Sequence, residues 1–154
     1  MTPDQRKRYN EYGCVSRCIV ELSKAKKAPI TDEEFCARFD RRFFLNWERY
    51  GTLMTAQIAD VTRELGLARQ FLTFRRYPAI VSRFKDGQRD IFVFSEIDLR
   101  EGHDGCNDHC SLLREIDDHR FKLWIPLKDG SNSERDFEAS FWETKACHGV
   151  VLQR

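Results

Sequence analysis

The feature that most constrains this chain is a change of hydrophobic period at Gly66. Before it, apolar residues recur three and four apart. After it, they come in short β-branched and aromatic runs bounded by turn residues. Val15, Cys18, Ile19 and Leu22 predict a helix from about Cys14 to Lys26. Thr31 stands three residues before Glu34, a capping-box spacing, with Phe35 and Phe39 following at i, i+4. Thr52 is a candidate N-cap for a helix whose face is Met54, Ile58, Val61 and Leu65, and Gly66 stands where a C′ glycine ends it.

Beyond Gly66, residues 69–77 predict a short strand. Residues 78–84 and 90–97 predict a hairpin around Lys85-Asp86-Gly87-Gln88, and 109–116 with 120–127 a second one around Asp117-Asp118-His119. Residues 98–108 are polar and glycine-containing, hence a loop. Residues 131–143 predict a helix, with Ser133 before an acidic first turn and Phe137 and Phe141 on one face. Residues 148–153 predict a closing strand. Helices followed by antiparallel strands, without βαβ alternation, give an α+β fold. A single domain over 1–154 is expected, helical over about 1–66 and sheet over about 67–154; 154 residues suffice for one core.

Charge narrows the partners. With 26 basic and 25 acidic residues the net charge is +1, so neither nucleic acid nor an acidic membrane surface is expected as a partner. The arginines and phenylalanines of residues 69–76 could suit single-stranded nucleic acid, yet in a neutral chain they read as a strand with a solvated face. No apolar run approaches the ~18 residues of a membrane span. The amino-terminal "MTPDQRKRYN" lacks the apolar region of a signal peptide, so a cytoplasmic location is expected. Six cysteines in such a chain read mostly as reduced thiols, which points to catalysis or metal binding.

Within "YGCVSRCIVEL", Cys14 falls on the first turn of the expected helix, where unpaired N–H groups and the helix dipole favour a thiolate. His109 opens a strand much later in the chain. That order suits a thiol enzyme: the imidazole accepts the thiol proton, holds the thiolate as an ion pair and protonates the leaving group. The plainer reading makes Cys14 a buried structural thiol and His109 an ordinary surface histidine. Cys18, one turn inward, reads as core, and His103, His119 and His148 have no comparable context. A zinc site drawn from Cys14, Cys18, Cys106, His109 and Cys110 competes, although the C-x3-C and C-x2-H-C spacings are loose and no C-x2-C pair occurs. No metal or cofactor is therefore expected in the leading reading.

The segment "CVSRCIVEL", the later "HCSLL", then "LWIPL", a serine-containing turn, "DFEASFW" and a last apolar strand together resemble the bacteriocin-processing cysteine peptidases. These form the double-glycine-leader peptidase family of the papain-like superfamily. The resemblance implies a papain-like fold, Cys14 as nucleophile, His109 as base, and a peptide or protein substrate cleaved at an amide bond. Two departures follow from it. The family's aspartate-proline is Ile125-Pro126 here, which leaves Asp129 as the expected orienter of His109. The family's glutamine falls on Arg8, which makes Asn10 the expected oxyanion donor beside the Cys14 N–H; Val15 replaces the family's glycine. The alternative function is a catalytically degenerate papain-like domain that serves as a binding or adaptor module.

Overall fold

The computed structural model describes residues 1–26, 29–39, 55–96, 99, 109–145 and 147–153. The chain begins with α1 (Pro3–Tyr12), a helix its sequence hides because Tyr9 is its one buried side chain. What starts it is local. Thr2 Oγ1 accepts from the Gln5 N–H, the Gln5 side chain accepts from the Thr2 N–H, and Pro3 occupies the first turn.

Gly13 joins α1 to α2 (Cys14–Ser23). A Cβ at Gly13 would stand 2.3 Å from the Tyr9 carbonyl oxygen, so the tight junction requires a residue without one. Every residue of α2 except Glu21 is buried, which makes it the central helix of the fold. The capping box at Thr31 and Glu34 forms as its spacing implied, with reciprocal bonds of 2.9 and 3.2 Å, and opens α3 (32–39). The expected Thr52 cap lies outside the described residues. Its helix is α4 (Thr55–Glu64), followed by Gly66 in the left-handed region at φ 66°.

The remaining elements are β1 (Gln70–Phe74), α5 (Tyr77–Lys85), β2 (Ile91–Ser95), β3 (His109–Ile116), β4 (Arg120–Pro126), β5 (Asn132–Glu138), α6 (Ala139–Thr144) and β6 (His148–Gln153). The six strands form one antiparallel sheet in the order β1-β6-β2-β3-β4-β5. The α+β expectation is met, and α2 packs on β3 and β4.

Two expected elements change type. Residues 78–84 form α5 rather than a strand. Pro78 is at home in a first helical turn, and Tyr77, Ile80 and Val81 bury one side at helical spacing, so a short apolar run satisfied both periods. The Asp86-Gly87 pair ends that helix instead of turning a hairpin. Residues 132–138 form β5 rather than the first half of a helix, which shortens to α6. The ladder with β4, from Arg120↔Glu138 to Pro126↔Asn132, overrides the local signal at Ser133.

The sheet separates two cores. On one side Val15, Ile19, Phe35 and Val61 pack against Phe92, Leu112 and Trp124. On the other, Tyr77, Ile80 and Trp142 pack against Phe121, Leu123 and Val151. Gly149 on β6 permits the second: a Cβ there would lie 2.3 Å from Ile80 Cδ1. Among the described residues no helix is long and apolar enough to cross a membrane.

Candidate active site at the start of α2

Helix α2 runs parallel to β3. Cys18 Sγ lies 3.6 Å from the Cys110 carbonyl oxygen, and one turn later Glu21 receives a 2.6 Å bond from Arg114. Cys14, a turn before Cys18, therefore lies over the beginning of β3, where His109 stands. Cys14 is 5 % exposed and His109 1 %. No side chain caps α2, because its N-cap is Gly13.

Three thiols gather here. Burial first, then Cys18 and Cys14 nearby, push the Cys110 thiol well above its ordinary pKa. Cys14, Cys18 and Cys110 all stand as thiols. Alternation along β3 sends Cys110 and Leu112 into the core facing α2 and Leu113 into the opposite core. His109 pairs with Ser95 and by the same alternation shares the side of Ser111 and Leu113. Sequence order brings Cys14 and His109 to one end of one strand, but the side chain next to Cys14 belongs to Cys110.

A feature absent from the sequence reading dominates the same helix end. Arg17 is 6 % exposed, and its guanidinium donates to the carbonyls of Leu127 (2.5 Å), Gly130 (2.7 Å) and Ser131 (2.7 Å). A planar fork suits several acceptors at once. It ties the β4–β5 turn onto α2 one turn beyond Cys14. Asn10 packs against that turn: a Cβ on Gly130 would meet its Nδ2 at 2.9 Å. The sequence-level sign is a basic residue between the apolar positions Val15, Cys18 and Ile19.

Asp129, the expected orienter of His109, lies on this turn. Its carboxylate accepts from Ser131 Oγ (2.6 Å) and the Ser131 N–H (2.9 Å) and is exposed to solvent. Those two bonds hold its pKa below the usual carboxylate value. Ile125, in the family's aspartate region, is fully buried in the core away from α2.

Of the five residues of the zinc grouping, Cys106 lies outside the described residues. Among the described residues no three histidine, cysteine or acidic side chains are placed to hold an ion. A groove of about 350 Å³ lies along α2 between Arg17, Val20, Lys24, Ile30, Trp124 and Asn132. Comparison of the chain with known protein families, curated proteins and solved structures finds no match.

Proposed function

We propose that the chain is a thiol acyl-transfer enzyme of papain-like design, acting on an amide bond of a peptide or protein, with Cys14 as nucleophile and His109 as base. What supports this reading is that Cys14 opens α2 and His109 opens β3, the strand on which α2 packs. In this reading the His109 ring comes around the strand end to the Cys14 sulfur. The thiolate adds to the carbonyl carbon, and the uncapped first-turn N–H groups of α2 receive the developing oxyanion. The imidazolium gives its proton to the departing amine. Water, deprotonated by the same imidazole, then releases the carboxylic acid and regenerates the thiol. Asp129 has no part in it, so the pair is a dyad.

A second reading is favoured by the burial of Cys14, by the alternation of β3, and by the bonds that engage Asp129 with Ser131. In it the chain is a binding or adaptor domain that keeps the helix-on-sheet frame without the chemistry. Iodoacetamide alkylation of Cys14, followed by peptide mass mapping between pH 5 and 9, separates the two. A thiolate–imidazolium pair gives a rate plateau near pH 6 that His109→Ala and His109→Gln both abolish. Alkylation that rises only above about pH 8, the range of an ordinary thiol, and ignores both substitutions leaves the binding reading.

A further inference from the structure

The two edges of the sheet are built differently. The outer strand β5 carries Glu134, Arg135, Asp136 and Glu138, charges of both signs that discourage another strand from pairing. The opposite edge, β1, has the sequence QFLTF, with no charge inside it. Among the described residues β1 pairs only with β6, so its outer row of N–H and C=O groups has no strand beside it.

Basic residues surround that edge. Residues 67–85 contain Arg69, Arg75, Arg76, Arg83 and Lys85 and no acid. Lys85 pairs with Asp118, and Arg83 lies over the Phe74 ring at 4.9 Å. Arg69, Arg75 and Arg76 are exposed and have no carboxylate partner among the described residues. They bracket β1 at both ends, in a protein whose overall charge is close to balance.

We propose that β1 is a docking edge for an extended acidic peptide segment of a partner protein, which adds to the sheet as a seventh strand. The backbone ladder would supply the attraction common to any strand, and the three arginines the preference for carboxylates. Single-stranded nucleic acid fits less well. Stacking needs exposed ring faces, whereas Phe71 packs into the core facing α2 and Phe74 lies in the opposite core under Arg83. This inference stands whether or not Cys14 is catalytic.

The test is fluorescence anisotropy with a labelled heptapeptide of alternating glutamate and threonine. Its comparators are the same peptide with lysine for glutamate, a version with proline at the central threonine, and oligothymidylate. The acidic peptide should bind, and the lysine peptide should not. Proline, which removes a ladder donor, and the triple variant R69S/R75S/R76S should each weaken binding about tenfold. Hydrogen exchange should slow at residues 70–74 in the bound protein. The side chains of Arg69, Arg75 and Arg76 make no described contact that the fold needs, so the triple variant should remain folded. Equal binding of the proline version, indifference to the triple substitution, tighter binding of oligothymidylate, or no binding of the acidic peptide overturns the proposal.

Discussion

The two faces of the sheet are filled by different chemistry. Beneath α5 and α6 the core is rich in rings: Trp142 meets Tyr77 and Phe121 edge-on at 5.7 and 5.5 Å, Phe137 stacks on Phe121, and Phe141 tilts against it. The polar ends of those rings are tied to backbone, Trp142 Nε1 to the Arg75 carbonyl and the Tyr77 hydroxyl to the Asp117 carbonyl. Beneath α2 the core admits three thiols, a buried arginine, and Tyr9, whose hydroxyl donates to Asp32 at 2.7 Å. The ring face is mainly apolar, although Cys147 is buried in it and His109 and Ser111 lie on that side of β3. The α2 face buries three thiols and an arginine, groups that cost stability unless partnered, so the buried polar chemistry near the start of β3 is shared by both sides of the sheet.

The largest break in that contrast should come from Trp142→Ala. It opens a cavity under α6 and leaves the Arg75 carbonyl without its donor, so a loss of about 4 kcal/mol is expected. Chemical denaturation measures it. Cys14 alkylation in the protein that remains folded should be unchanged, because the ring core is on the other side of the sheet. A change in Cys14 reactivity as large as that of a His109 substitution would mean that the faces are not separable.

Arg17→Met tests the α2 face directly. The carbonyls of Leu127, Gly130 and Ser131 lose the guanidinium, but Leu127 keeps the Gly130 N–H and Ser131 the Leu127 N–H, so about 1–2 kcal/mol is expected. Arg17→Lys should fall between, since an ammonium keeps the charge but cannot reproduce the fork. Hydrogen exchange at residues 127–131 should quicken in both variants. If Arg17→Met is as stable as the parent, the clamp does not organise this end of α2.

How much of this was legible in the sequence follows from the range of each signal. The caps at Thr31 and Gly66 and the strands β1, β3 and β4 were readable because turn chemistry and period agreed over several residues. Residues 78–84 fit a buried strand and a short helix equally well because their apolar stretch, Pro78 to Val81, is too short to set a period. Docking on the sheet across Gly149 favours the helix. Residues 132–138 misled because β5 is an edge strand specified by its partner β4. At the candidate site, chain order located the helix and the strand but not which side of β3 faces the helix, since slipping by one residue exchanges His109 for Cys110. The acceptors of the Arg17 clamp leave no trace in the sequence because all three are backbone carbonyls, which no side-chain pattern reveals.

A smaller effect, of opposite sign, is expected at Ser111. Its hydroxyl is buried and has no hydrogen-bond partner among the described residues, on the side of β3 that faces the ring core. Removing an unsatisfied buried hydroxyl relieves desolvation while leaving only a small void, so Ser111→Ala should stabilise by about 1 kcal/mol. Thermal denaturation decides it. A loss of stability would show that the hydroxyl has a partner and that this side of β3 is more polar than the ring core implies.

The smallest effect is expected at Asp129, and it separates a structural acid from a catalytic one. Its folded pKa is depressed by the Ser131 hydroxyl and N–H, so the stabilisation it provides is present above the unfolded carboxylate pKa, about 4. That contribution is lost as the pH falls through the lower folded value. Asp129→Asn should therefore flatten the acid limb of the stability profile slightly and change nothing at pH 7 and above beyond the lost turn bonds. Because the carboxylate faces solvent and bonds within its own turn, the pH profile of Cys14 alkylation should match that of the parent. Should the variant instead lower the Cys14 plateau as His109→Gln does, the turn must swing to bring Asp129 onto His109. The proposed chemistry would then run through a triad assembled on substrate binding rather than a dyad.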